Sequence, residues 1–176
     1  TLLPCSQREL TRDDGDTWLN VTPDMPRGGR VQTIEPSSFD AGTAYACVLR
    51  YQLGDASAHV YKTTNYGADW RRITDGLPEN CPARVLREDP SDQDILFLGT
   101  EWGMYVSQDA GQSWRPFQQN LPVTPINMVI HRDDLVLSTM GRSFWILDDI
   151  SPLRALKEVR TQASLATVLL KPRQAV

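Results

Sequence analysis

Three octets of this chain share one pattern: Thr11-Arg-Asp-Asp-Gly-Asp-Thr-Trp18, Thr63-Thr-Asn-Tyr-Gly-Ala-Asp-Trp70 and Ser107-Gln-Asp-Ala-Gly-Gln-Ser-Trp114. Each reads S/T-x-D/N-x-G-x-x-W, and the tryptophans recur after 52 and then 44 residues. The octet chemistry is that of a tight turn. Asp13, Asn65 and Asp109, at the third position, can bond their own backbone two residues on, and Gly15, Gly67 and Gly111 supply the positive φ that closes a hairpin. Thr11, Thr63 and Ser107 can satisfy another turn amide, while Trp18, Trp70 and Trp114 open the next strand with a large ring and one N–H donor. That ring is expected to pack between neighbouring sheets. A calcium loop of the EF-hand kind is excluded, since no octet carries the further oxygen ligands and distal glutamate it needs.

A period of about 40 to 50 residues marks the blades of a β-propeller. Short β segments bounded by Gly, Pro, Asp and Ser fall into place around the octets. Residues 1–22 offer one hairpin of an incomplete blade. Residues 23–75 read as a complete blade, with strands at Arg30–Glu35, Thr43–Arg50, Val60–Thr64 and Trp70–Thr74. Residues 76–120 repeat it, at Ala83–Glu88, Asp94–Thr100, Gly103–Ser107 and Trp114–Gln118. Residues 121–150 form a last, partial blade without an octet, at Ile126–His131, Asp134–Thr139 and Ser143–Asp148. Residues 151–176 leave the repeat: Ser151 and Pro152 read as N-cap and first residue of a short helix over Leu153, Leu156 and Val159. Ala166–Leu170, stopped by Pro172, reads as one further strand closing on a neighbour. The fold class is therefore all-β, a propeller segment of four-stranded antiparallel blades with hairpin turns at the octets. About thirteen strands, or fourteen with the tail, is short of the usual ring of 4 to 8 blades. The sequence reads as the carboxy-terminal slice of a larger propeller, with a four-bladed ring closed by the tail as the alternative.

The octets resemble Asp-boxes, also called BNR repeats, known from sialidases, sortilin-type receptors and many bacterial propellers. Val60–Gly67, Gly76–Asn80, Arg87–Pro90, Leu98–Glu101, Asn120–Pro125 and Gly141–Ile150 together resemble the last blades of large bacterial BNR/sortilin-like proteins, over about residues 11 to 155. The resemblance implies an exported protein, secreted or in the periplasm or cell envelope, and upstream blades as partners of this segment. It also implies that the Asp-boxes lie on the turns between third and fourth strands, opposite the ligand face. That face would consist of the loops Pro23–Gly29, Asp75–Pro82 and Asn120–Pro125, with Tyr51–His59, Thr100–Gly103 and Thr139–Arg142. Within these, Arg84, Glu101, Trp102 and Arg142 are the candidate ligand-binding residues, because an exposed arginine or aromatic suits a carboxylate or a sugar ring.

Composition narrows the partner. The chain has 176 residues, 40% hydrophobic and 23% charged, with net charge −4, so it can bury a core and lacks the basic character that nucleic acid or an anionic membrane selects. No apolar run approaches the roughly 20 residues that span a bilayer. Cys5, Cys47 and Cys81 include no C-x-x-C pair and read as buried or free thiols, with one disulfide and one thiol left over as the alternative in an exported protein. His59 and His131 are far apart and outside any zinc motif, and neither metal nor cofactor is expected.

Catalysis has two readings. A binding or scaffolding module for a protein or carbohydrate ligand needs nothing further. A glycoside hydrolase needs two carboxyl groups about 5 to 5.5 Å apart, or a sialidase-like tyrosine, acid and three arginines. Asp13/Asp14, Asp133/Asp134 and Asp148/Asp149 are sequence neighbours and do not suit the first arrangement. Arg30, Arg50, Arg84, Arg87 and Arg142, with Tyr45, Tyr51 or Tyr105, are nominal members of the second, and no spacing selects among them.

Overall fold

Apolar strands linked by short polar turns bury themselves by stacking sheets face to face, and this chain does so with four successive antiparallel sheets. The computed structural model describes residues 9–22, 28–121 and 124–161, with side chains to residue 156. β1 (Glu9–Leu10) pairs with β2 (Leu19–Asn20). β3 (Arg30–Pro36), β4 (Ala44–Leu49), β5 (Val60–Thr63) and β6 (Arg71–Arg72) form the second sheet, in chain order. β7 (Ala83–Asp89), β8 (Asp92–Thr100), β9 (Gly103–Ser107) and β10 (Arg115–Pro116) form the third, and β11 (Pro125–His131), β12 (Asp134–Thr139) and β13 (Phe144–Leu147) the fourth. This is a partial β-propeller. Cys5, Val159's side chain, most of the Pro23–Gly29 loop and the Ala166–Leu170 segment lie outside the described residues.

The strand period of two explains the layering. Along β8, Leu96 and Leu98 face a core shared with Tyr45, Cys47, Val60 and Ile73 of the second sheet. Ile95 and Phe97 face the opposite core, shared with Met128, Leu135 and Leu137 of the fourth. A strand packed on both faces reads as an unbroken apolar run, as Ile95–Leu98 does. Cys47 and Cys81 are buried free thiols, and burial pushes the Cys47 thiol up to about 12.

Arg87, at the centre of β7, ties the three inner strands together. Its guanidinium donates to the Met128 carbonyl at 2.9 Å, to Asn127 Oδ1 at 3.0 Å and to Glu35 at 3.1 Å. β3, β7 and β11 also shift register at the same place, between Val31 and Thr33, Ala83 and Val85, and Pro125 and Asn127.

The octets have a shared geometry that differs in one respect from expectation. The first-position hydroxyl, not the third-position carboxyl, serves the glycine amide: Gly15, Gly67 and Gly111 N–H donate to Thr11, Thr63 and Ser107 at 2.8, 2.9 and 2.9 Å. The third-position oxygen reaches four residues on, accepting from the Thr17, Asp69 and Ser113 amides at 2.8, 2.9 and 2.8 Å. The seventh side chain completes the ring. Thr17 and Ser113 donate hydroxyls to Asp13 and Asp109, whereas Asn65 Nδ2 donates to Asp69, so donor and acceptor exchange places together. Two consecutive residues take positive φ, with Asp14, Tyr66 and Ala110 preceding the glycines.

The second and third octets then grip the sheet before them. Trp114 Nε1 donates to the Ile73 carbonyl and Trp70 Nε1 to the Val21 carbonyl, both at 2.9 Å. The glycine presses on the same residue: a β-carbon on Gly111 would lie 2.7 Å from Ile73 Cδ1, and one on Gly67 2.6 Å from Val21 Cβ. Trp18, with no described sheet before it, turns its N–H onto the Gly15 carbonyl of its own octet and is 57% exposed.

Three other features depart from the sequence reading. The fourth strands β6 and β10 are only two residues long, each followed by one more bond to the third strand, from Ile73 N–H to the Val60 carbonyl and from Phe117 N–H to the Met104 carbonyl. Tyr51–Leu53 forms a 3-10 turn closed by Gly54 at φ +80°. The helix α1 (Ser151–Thr161) forms as expected, but Asp149 Oδ1, not Ser151, caps it, accepting the Ser151 amide at 3.1 Å and hydroxyl at 2.5 Å. Arg154 anchors α1 by pairing with Asp89 at 3.0 Å and Asp133 at 2.7 Å.

Substitution and pH both test the octet geometry. Trp114→Ala, at a ring 3% exposed, is expected to cost about 3–5 kcal/mol in chemical denaturation, and Gly111→Ala at least ~1 kcal/mol from positive φ alone, whereas Trp18→Ala should be close to neutral; equal costs at Trp18 and Trp114 would refute the grip. Burial opposes ionisation of Asp109, but the Ser113 hydroxyl and amide, then Ser107, outweigh it and hold its carboxyl below the ordinary value of 3.8. A depressed folded value stabilises fully above the unfolded pKa and is lost as pH falls through the folded one. Asp109→Asn should therefore melt lower than wild type at pH 7 and nearly level with it at about pH 2; a gap of constant size across that range would contradict the assignment.

Candidate functional site on the loop face

The ends of the sheets away from the octets carry the loops between second and third strands and between successive sheets. Backbone and threonine bonds join them into a belt across two sheets. Glu101 N–H donates to the Pro82 carbonyl at 3.0 Å, Thr124 Oγ1 to the Glu101 carbonyl at 2.6 Å, and Met140 N–H to the Thr124 carbonyl at 3.2 Å. The second-to-third-strand loops close alike: Thr100 Oγ1 donates to the Gly103 carbonyl at 2.9 Å and Thr139 Oγ1 to the Ser143 carbonyl at 2.8 Å.

Arg84, the residue at the β7 register shift, pairs with Glu101 in the loop after β8. Both are largely buried, and Arg84 Nε has no hydrogen-bond partner among the described residues. The pair neutralises itself, so Arg84 is not a free carboxylate clamp. Trp102 is 68% exposed, yet its indole N–H donates to the Asn80 carbonyl at 2.7 Å. The ring's polar edge is thus consumed internally, and what faces solvent is apolar. Arg142 is exposed on the next sheet's loop, joined to the others through the belt, and its carbonyl accepts from Trp145 Nε1 at 2.7 Å.

The sequence places the loops Tyr51–His59 and Thr139–Arg142 on this face and names Tyr51 as a nominal nucleophile, but it does not single out Leu53 or Met140. Tyr51, Leu53 and Met140 are exposed at the tips of the equivalent loops, so each of three sheets presents a large apolar side chain on this face. A cleft of about 330 Å³ opens beside Trp102's anchor, between Ser57–Ala58, Arg72–Thr74 and Leu77–Asn80. Arg72 braces it, donating from Nε and a terminal nitrogen to the Ala58 carbonyl at 3.2 and 2.5 Å. Arg71 and Arg72 are both exposed on β6, and the pairing of β6 with β5 brings Arg72 to Ala58.

The structure does not assemble the sialidase-like set. Arg50 is held by Asp55 at 2.6 Å, Arg84 by Glu101, and Arg87 lies among the inner strands. Tyr45 is 1% exposed, and burial together with Glu88 pushes its hydroxyl well above the usual value. Tyr105 is buried as well, leaving Tyr51 exposed. His59 is buried, its Nε2 2.9 Å from Asp55 and its Nδ1 3.3 Å from the Tyr61 hydroxyl. Burial keeps its ring below the ordinary histidine value against the pull of Asp55. Burial acts against ionisation of Asp55, but the Ser57 amide and His59 hold its carboxyl at about 2.

The fold and its two dissimilar ends define a β-propeller module. No family model matches the chain, and no curated protein does. Among solved structures it is similar to YCF48 bound to D1 peptide, with 18% identity over 82% of this chain and 46% of that one, TM-score 0.59. It is also similar to the GH74 xyloglucanase from Xanthomonas campestris, with 19% identity over 81% of this chain and 24% of that one, TM-score 0.61. A GH74 enzyme from Niastella koreensis matches at 16% identity over 68% of this chain and 21% of that one, TM-score 0.55. The chain thus spans less than half the length of each of these propellers.

Proposed function

We propose that this chain is a non-catalytic binding segment of a larger, exported propeller of the Asp-box type, and that its loop face takes a segment of a protein partner. The observation that carries this reading is Trp102. A ring two-thirds exposed, fixed by its own N–H to Asn80 and set in a hydrogen-bonded belt, is a rigid apolar platform that loses little entropy on binding. Tyr51, Leu53 and Met140 extend the apolar tips to the neighbouring sheets, and the cleft beside Asn80 offers a place for one anchoring side chain. The similarity to a propeller whose structure holds a peptide supports the same reading.

A glycan is the second ligand class, because an exposed tryptophan also suits a sugar ring and two of the similar structures are GH74 enzymes. Hydrolysis is less well supported. Glu101 and Asp55 are each tied to an arginine along this face, and Glu79, which lines the cleft, has no second carboxyl among the cleft's lining residues to complete a hydrolytic pair.

The test sets peptide arrays and xyloglucan oligosaccharides against the full chain and its Trp102→Ala variant. Expected are saturable peptide binding, weakening by about tenfold or more in the variant, an unchanged melting temperature and no turnover. Turnover of any glycoside that collapses on Glu101→Gln would overturn the proposal in favour of a hydrolase.

A further inference from the structure

A second pocket lies at the octet end, between the first and second sheets. It is apolar, about 170 Å³ in volume, and its lining includes Leu10, Val21, Ile34, Pro36, Ala44 and Trp70. The next interface shows what such a place holds. Register makes Ile34 and Pro36 of β3 the counterparts of Leu86 and Glu88 of β7, and Ala44 of β4 the counterpart of Leu96 of β8. By their distance from the octet positions, Leu10 corresponds to Lys62, Val21 to Ile73 and Trp70 to Trp114.

Between the second and third sheets those counterparts gather around one side chain, Tyr45 of β4. Its ring belongs to one core with Ile73, Leu86, Leu96 and Trp114. The Lys62 ammonium lies 5.3 Å from the ring centroid, and the hydroxyl donates to Glu88 Oε1 at 3.3 Å. Tyr45 is 1% exposed there, and its counterpart place in the first interface is open, leaving Ile34 40% exposed where Leu86 is 1%. Among the described residues β1 pairs with β2 alone, whereas β5, its counterpart, pairs with β4 as well as β6. The two places differ in polarity, since Pro36 stands where Glu88 accepts the tyrosine hydroxyl.

We propose that this pocket is a docking site for a phenylalanine ring carried by the second strand of the first sheet. That strand pairs antiparallel with β1 and sets the ring opposite Leu10, as Tyr45 is set opposite Lys62. An apolar cavity of about 150 Å³ is enough for a benzene ring, and a tyrosine hydroxyl buried here without an acceptor is penalised. β1 and β2 already stand as third and fourth strands, gripped by the second octet through Val21, so the next strand inward belongs to the same propeller and continues the packing that Tyr45 makes one sheet later. The inference rests on the chain being a segment of a larger propeller, but it concerns the face between sheets and not the loop face.

The test titrates the full chain, followed by NMR, with toluene as the phenylalanine side chain, p-cresol as the tyrosine side chain, and a strand peptide whose central phenylalanine is flanked by valines. Expected is saturable binding of toluene that shifts the Trp70 indole N–H and the Val21 methyls, with p-cresol weaker by about tenfold or more. The bound peptide should show cross-strand contacts between its phenylalanine and the Leu10 backbone. Ala44→Leu, which supplies the side chain that Leu96 has one sheet later, should fill the pocket and weaken toluene by about tenfold or more, and Pro36→Glu should raise p-cresol to the level of toluene. The wild-type titrations decide the matter even if a variant does not fold. No saturable toluene shift, equal binding of p-cresol by wild type, or a bound peptide without contact to Leu10 would each overturn the proposal. So would Trp70 shifts that grow with protein concentration as the mass doubles, which would place a second copy in the pocket. Peptide binding at the loop face is read from Trp102→Ala, so failure there and failure here are told apart.

Discussion

The residue three places after each of the first two octet tryptophans is where one sheet is fastened to the next. Val21 and Ile73 each receive the indole N–H of the following octet on the carbonyl and the octet glycine on the side chain. A buried N–H without a partner costs roughly 1–3 kcal/mol, so this bond fixes the orientation of a ring already committed to the core. The glycine is required twice over, by its positive φ and by a contact too close for a β-carbon. The octet is thus a hairpin turn and a docking device in the same eight residues, which is why its sequence repeats while the strands around it vary. Trp18 shows the converse: where no described sheet precedes, the same ring folds back on its own turn and lies exposed.

Stacking sheets this way leaves their inner strands side by side, and a second set of bonds holds them there. Arg87 reaches β3, β11 and its own strand from one position, and Ser37 and Tyr45 of the second sheet donate to the buried Glu88 of the third. Burial raises the Glu35 carboxyl despite the neighbouring Arg87, a sign that the cluster is partly dry. Such groups fix the relative placement of sheets that apolar contacts alone would allow to slide.

Much of this fold was legible in the chain because turns and strand periods are local. The octets mark hairpins, apolar alternation marks strands, and the missing fourth octet marks the departure at residue 150. Capping by Asp149, the two-residue fourth strands and the four-residue reach of the octet carboxylates were not legible, because each turns on a choice between neighbouring acceptors. The loop face was harder still. Sequence singled out Arg84, Glu101, Trp102 and Arg142 as candidates, but the mutual neutralisation of Arg84 and Glu101 depends on a register shift in β7. The anchoring of Trp102 depends on a carbonyl 22 residues away, and the cleft beside it on the pairing of β6 with β5. Long-range placement of this kind leaves no periodicity to read.

The two ends of the sheets therefore answer to different constraints. At the octet end, glycine, tryptophan and three polar positions are all consumed by bonds within the fold, and substitution there disturbs the stacking. At the loop end, the bonds that fix shape run mainly through backbone carbonyls and threonine hydroxyls, as in the Pro82–Glu101–Thr124–Met140 belt. Side chains such as Trp102, Tyr51, Met140 and Arg142 stand on that frame without holding it up, apart from the one N–H of Trp102. A face built like this can change its exposed side chains while the sheets beneath it stay in place, which is the property a propeller needs to carry different ligands on one architecture.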